Sequence, residues 1–152
     1  MIKPCLPNVY KTRTSRIPGK DLRIIYKRSF SFYKNLKTKT RRRPYVRSAY
    51  FNKKKIFLEL FWQHLSDKSN FHDRVRRARY FPCAIELIEK SRFQPISKEN
   101  PNKKSEILHR FIGISRDKYL FIVQIKENKK TGQKWLISVF PWNKRKEPSD
   151  NV

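Results

Sequence analysis

The sequence predicts an α+β fold: two or three helices packed on a small C-terminal antiparallel sheet (a meander), preceded by a basic, largely extended N-terminal arm. Three observations lead there. The first third of the chain is cationic and interrupted by Pro4, Pro7 and Pro18. The middle shows helical spacing of apolar residues. Ile107 to Pro141 reads as three β-branched and aromatic runs separated by two turns. The expected division is a flexible arm over 1–43, a folded domain over 44–142 and a flexible tail over 143–152.

Met1 to Gly19 buries too little apolar area to offset its chain entropy, so it is expected to be loose. Leu22 to Tyr26 and Ser29 to Tyr33 are short β-like runs among basic residues and suit a hairpin or an extended arm. Residues 37–43 (KTKTRRR), which include Arg41, Arg42 and Arg43, form a charge run closed by Pro44. That run fits a flexible linker and an arm that tracks phosphates equally well. Trimming residues 1–43 is therefore expected to weaken affinity for a phosphate-bearing partner much more than fold stability.

From Asn52 to Leu65, the residues Phe57, Phe61 and Leu65, with Leu58, Leu60 and Trp62 beside them, mark a wide apolar helical stripe with Asn52 as N-cap. Lys53, Lys54 and Lys55 would then stand at the positive end of the helix dipole, an arrangement that suits a bound phosphate. His64, at the edge of the stripe, reads as a partly buried structural histidine. Asn70 followed by Asp73 has the pattern of a second N-cap, opening a helix that presents Arg74, Arg76, Arg77 and Arg79. Phe81-Pro82 restarts the helix, with Phe81, Ala84, Ile85 and Ile88 inward. Pro95 and Pro101 make 92–106 a long loop leading to the sheet.

Alternation divides the three strands into faces. Tyr119, Phe121, Val123 and Ile125 of the second strand and Trp135, Ile137 and Val139 of the third form an apolar face, joined by Leu108, Ile112 and Ile114 of the first. His109 and Phe111 then fall on the side of Gln124, Lys126, Lys134 and Ser138, a mixed face able to act as a reaction surface. Gly132 supplies the positive φ that the second turn needs.

Composition narrows the partners. A chain of 152 residues with eleven Phe, seven Tyr and three Trp has enough aromatic bulk for one compact domain, although its hydrophobic fraction is only 38%. Its 38 basic against 12 acidic residues leave a formal charge of +26. Residues 1–55 hold eighteen Lys or Arg against the single acid Asp21. Such a surplus repels itself unless a polyanion is near, which points to RNA, with DNA as the other option. Cys5 and Cys83 show no metal-ligand spacing, so no metal, cofactor or disulfide scaffold is expected, and Cys83 reads as a small core residue. No run of eighteen apolar residues and no leader pattern occurs, which predicts a cytoplasmic protein without a membrane partner.

Helices packed on a meander, with histidine and arginine in the first strand (LHRF), lysine near the end of the second (VQIKE) and a hydroxyl in the third (ISVFP), form a pattern that resembles the BECR superfamily. That group holds barnase, EndoU nucleases, colicin tRNases and RelE toxins. Its phage-associated branch has a terminal Ser/Thr-x-aromatic motif similar to Ser138-Val139-Phe140, and the resemblance covers residues 50–142. It implies a metal-independent endoribonuclease, toxin-like or carried by a mobile element, which leaves room for a neutralising acidic protein partner.

The residues suit that chemistry on their own terms. Internal transesterification of RNA needs a group to take the 2′-hydroxyl proton, one to protonate the leaving oxygen, and cations for the charge on phosphorus. Histidine titrates closest to neutrality, which makes His109 the natural acid–base member. Lys126 and Arg110 would hold the phosphate, with Lys134 in support, and Ser138 and Gln124 would donate hydrogen bonds. Phe111, Phe140 or Trp142 would stack a base, while Arg74, Arg77, Lys53, Lys54 and Arg41 to Arg43 would bind the backbone. Strict alternation sends Arg110 into the apolar face, so its role requires a bulge or an acidic partner. The competing reading is a non-catalytic RNA- or DNA-binding module in which the sheet is only a scaffold. A third is a phage- or transposon-encoded DNA-binding accessory protein.

Overall fold

A computed structural model describes residues 8–67 and 70–142; the expected tail and Cys5 lie outside them. In chain order the elements are β1 (Val9–Lys11), α1 (Leu22–Thr38), β2 (Tyr45–Ser48), β3 (Lys54–Phe57), α2 (Glu59–Ser66), α3 (Phe71–Ala78), α4 (Phe81–Lys90), β4 (Ile96–Asn100), β5 (Lys103–Ile114), β6 (Leu120–Asn128) and β7 (Lys134–Pro141).

The arm is not extended. The Asp21 carboxylate accepts from the backbone N–H groups of Arg23 (3.0 Å) and Ile24 (3.4 Å) and caps the 17-residue α1. Ile25, Ser29 and Tyr33, spaced by four, line its buried side, so packing of one helical face outweighs the β propensity of these runs. Ser29 Oγ donates to the Ala78 carbonyl at 2.8 Å where α1 meets α3. Upstream, β1 runs parallel to the end of β5, pairing Val9 with Ile112 and Lys11 with Ile114.

The sheet also departs from expectation. Among the described residues, seven strands form one mixed sheet, ordered β1-β5-β6-β7-β3-β2 with β4 also on β5, and it curls into a half-barrel. The antiparallel β5, β6 and β7 are therefore the middle of a larger sheet rather than a small C-terminal one. Two stretches account for the difference. Asn52 (φ 56°) and Lys53 (φ 64°) adopt left-handed conformations in a turn that joins β2 to β3, so Asn52 is not an N-cap. Helix α2 starts only at Glu59. The presumed long loop 92–106 instead holds β4 and the first residues of β5.

The helix side of the sheet carries the main core. Phe61, Trp62 and Leu65 of α2 and Phe81, Ala84, Ile85 and Ile88 of α4 pack with Phe111, Phe121, Val123, Ile125, Leu136 and Val139. Helix α4 lies so close that a Cβ on Gly113 would come within 2.8 Å of Leu87 Cδ1 and 2.5 Å of the Phe121 ring. Asn70 caps α3 through Oδ1 as its sequence predicts, accepting from the backbone N–H groups of His72 (2.8 Å) and Asp73 (3.4 Å). Cys83 is buried, and its desolvation pushes the thiol pKa up to about 12.

Candidate nucleic-acid interface

Two local irregularities decide which side chains share the other face of the sheet. The β5–β6 connection pairs Ile114 with Leu120, so five residues form the turn, with Lys118 left-handed (φ 73°). A four-residue turn would have given the expected facing; one extra residue exchanges the two sides of β5 relative to β6. The second irregularity is a bulge in β7: Gln124 pairs with Ser138 but Ile125 pairs with Leu136, leaving Ile137 as the extra residue. It turns Lys134 and Leu136 toward the core and Trp135 away from it.

On the face opposite the helices, Arg110, Gln124 and Ser138 now lie in one row across three strands. Arg110 Nε donates to Gln124 Oε1 at 2.9 Å. Its guanidinium is buried, which pushes its pKa below the ordinary arginine value. A second guanidinium arrives from α3. Strand β3 covers β7 only at Lys134 and Trp135, and α2 and α3 pack along the strand beyond that point. Arg77 therefore reaches over the edge of β7 and donates from Nη1 to Ser138 Oγ at 3.2 Å. Asp73 steadies Arg77 through Nε at 3.1 Å and also pairs with Arg76 at 2.7 Å. Burial alone would raise the Asp73 pKa, but the two arginines outweigh it and the net shift is downward. The guanidinium carbons of Arg77 and Arg110 stand 5.6 and 6.0 Å from the centre of the Phe140 ring. Two cations thus flank one aromatic ring, with a hydroxyl and an amide bonded to them in the same row, a set of groups suited to the oxygens of a phosphodiester.

The neighbouring row on this face is longer: Leu108, Lys126, Trp135, Phe57 and Tyr45 are cross-strand partners from β5 through β2. Lys126 lies 5.1 Å from the Trp135 ring centre, and its ammonium is 3.4 Å from the buried Glu106 carboxylate. Arg43 lies 3.9 Å from the Phe57 ring centre and pairs with Glu59. Lys55 and Arg47 flank Tyr45 at 4.7 and 5.5 Å.

His109 faces the other way. It is a core-side residue, 7% exposed, bonded through Nδ1 to Ser97 Oγ (2.6 Å) and through Nε2 to Glu127 Oε1 (2.8 Å), with its ring against the edge of Phe51. Lys134 belongs to this same cluster. It donates to the Gly132 carbonyl at 2.8 Å and lies 3.8 Å from Glu127 Oε2. Burial lowers its pKa, and Lys54 adds to that while Glu127 opposes it.

The expected site is thus divided between the two faces. Arg110, Gln124, Ser138, Lys126 and Phe140 share one face of the sheet, and Arg77 reaches it from α3. His109 and Lys134 do not, and Phe111 is core, packed against Tyr50 and Phe51. Trp142 lies at the end of the sheet beside a cavity it shares with Arg76, Arg79 and Tyr119. Arg74 is half-buried on α3, His64 is exposed, and Lys53 and Lys54 are exposed at the β2–β3 turn. Arg41 and Arg42 project from the connection between α1 and β2. The residues missed by sequence reading are Tyr45, Phe57 and Trp135. For the first two the signal was present, since Tyr-Val-Arg (45–47) and Lys-Ile-Phe (55–57) each alternate an aromatic and a basic residue around an apolar one. Trp135 had no such signal because the bulge decides its side. Among the described residues no helix is long and apolar enough to cross a membrane. Comparison with family models, with curated proteins and with solved structures returned no match.

Proposed function

We propose that this protein is a metal-independent endoribonuclease whose scissile phosphate sits in the Arg77–Arg110–Gln124–Ser138 row. The observation that carries the reading is the convergence of two guanidiniums, from α3 and β5, beside the Ser138 hydroxyl: Arg77 donates to that hydroxyl at 3.2 Å and Arg110 to its row neighbour Gln124 at 2.9 Å. The resemblance of LHRF, VQIKE and ISVFP to BECR-type strands supports the same assignment.

In the reaction, the ribose 2′-oxygen forms a bond to phosphorus as the bond from phosphorus to the 5′-oxygen breaks, leaving a 2′,3′-cyclic phosphate and a 5′-hydroxyl. Arg77 and Arg110 hold the non-bridging oxygens, where negative charge builds in the transition state. The 2′-proton leaves to solvent. Lys126, two residues along β6 from Gln124 on the same face, protonates the 5′-oxygen and regains its proton from solvent. An imidazole has no part in this scheme, because His109 is on the core side.

RNA incubated with the protein in EDTA is expected to yield cyclic-phosphate ends. Arg77→Ala and Ser138→Ala should slow this by about 10²-fold each, the usual consequence of losing one transition-state donor, with thermal stability near that of the parent. RNA that stays intact while binding tightly and salt-sensitively would replace this reading with the non-catalytic module, which the cationic surface beyond the row also suits.

A further inference from the structure

The row next to the phosphate site has a feature that phosphate binding does not need: three aromatic rings, Trp135, Phe57 and Tyr45, on three adjacent strands and one face. All three are half-buried rather than sealed. They take no part in the core beneath them, which Ile56, Val46 and Leu136 supply from the same strands. Every ring has a cation beside it: Lys126 at Trp135, Arg43 at Phe57, and Lys55 with Arg47 at Tyr45. Arg43, Tyr45, Lys55 and Phe57 also line a surface cleft with Lys39 and Arg42, so the row ends in the most basic turn of the chain.

We infer that Trp135, Phe57 and Tyr45 form a base-stacking track that carries single-stranded RNA across the sheet into the phosphate site. Aromatic rings alternating with cations match the two repeating parts of a nucleic-acid strand, a flat base and a charged phosphate. The spacing selects single strands. Tyr45 and Phe57 have ring centres 6.2 Å apart, against a step of roughly 3.4 Å between stacked base pairs in a duplex. Successive bases therefore reach successive rings only after unstacking from one another, which a loop or a single strand permits. The two rows are neighbours, since Lys126 follows Gln124 by two residues on β6, a rise of roughly 6.6 Å. A strand lying on the rings can therefore place a backbone phosphate beside Arg110 and Arg77. The track rests on the proposed phosphate site for its direction but not for its existence.

The test separates bases from phosphates and binding from cleavage. Affinity is measured for a fully 2′-O-methylated hexanucleotide, which 2′-oxygen attack cannot cut, for an abasic hexamer with the same phosphates, and for a blunt duplex. The parent protein is expected to bind the base-bearing single strand more tightly than either of the others. Tyr45→Leu and Trp135→Leu should each weaken that binding by roughly 5- to 150-fold and leave the abasic hexamer within about twofold, whereas Trp135→Phe, which keeps a ring, retains most of the affinity. Ring variants that weaken both hexamers equally or neither, or a duplex bound as well as the single strand, would overturn the track. Arg77→Ala reports separately. If it leaves both hexamers unaffected while the ring variants lose the base-bearing one, the phosphate assignment fails and the track stands.

Discussion

Arg110 and His109 are adjacent in sequence, and their separation onto opposite faces is the decision on which the proposed chemistry turns. Sequence reading singles out His, Arg, Gln, Lys and Ser, because within three short strands they are an unusual concentration of polar groups. It cannot see which side each takes. Leu108, Ile112 and Ile114 are as apolar as Phe111, and β6 has apolar residues on both sides, so either facing looks plausible until the turn length is known. Five turn residues rather than four send Arg110 to Gln124 and His109 to Ile125. The buried imidazole then has a structural task, bridging Ser97 on β4 and Glu127 on β6. His109→Ala removes both bonds and leaves Glu127 half-buried with a weaker set of partners. The expected cost is about 1–3 kcal/mol in urea denaturation, while RNA cleavage and binding stay within a few-fold of the parent. A variant that is fully stable yet inactive would return the imidazole to the catalytic role and refute the proposed row.

At the scale of elements, the helices built from capped, amphipathic stretches were legible, and those that depend on distant partners were not. Asn70 with Asp73, and Phe81-Pro82, announce α3 and α4 locally. Helix α1 is announced only by Asp21, and its aromatic and β-branched residues favour strands until Ala78 and Trp62 are there to receive them. Strand β1 is legible from nothing local, since it exists by pairing with β5 and by its tether to α4. That tether is Glu86, whose carboxylate accepts from Tyr10 Oη (3.1 Å), Thr14 Oγ1 (2.6 Å) and the backbone N–H groups of Arg13 (2.8 Å) and Thr14 (3.0 Å). Burial alone would raise its pKa, but these donors outweigh burial and the folded value lies below the ordinary glutamate value. The folded state therefore prefers the ionised form. The stability this contributes is present above the unfolded pKa and is lost as pH falls through the folded value. Against the opposing effect of burial, Asp73, held by Arg76 and Arg77, and Asp117, held by the Ser115 hydroxyl and then Arg16, shift in the same direction. Glu86→Gln is expected to lower the melting temperature at neutral pH and to flatten the decline between about pH 5 and pH 2. An unchanged acid limb would show that the tether contributes nothing.

For the whole molecule, the question is whether the cationic first third is an appendage or part of the body. Composition argues for an appendage, with eighteen Lys or Arg and one acid in residues 1–55. Packing argues otherwise: Ile17, Ile25 and Tyr33 are each at most 9% exposed, Ser29 is fully buried, and β1 occupies the upper edge of β5. Burying an apolar side chain is worth roughly 1.5–3 kcal/mol, so three such residues approach the roughly 5–15 kcal/mol by which a domain is stable at all. Removing residues 1–43 is therefore expected to leave a chain without a cooperative thermal transition, contrary to the division of labour that charge alone suggests. The same charge makes the intact protein depend on its surroundings. A formal +26 on 152 residues repels itself, so the melting temperature should rise with salt in the absence of RNA and rise further when RNA is added. RNA binding should weaken with salt, and Arg77→Ala should reduce the slope of log affinity against log salt by about 0.7, the share of one phosphate contact on a single strand. A truncated chain that melts cooperatively near the parent temperature would make residues 1–43 an appendage after all, and would separate their charge from the architecture of the fold.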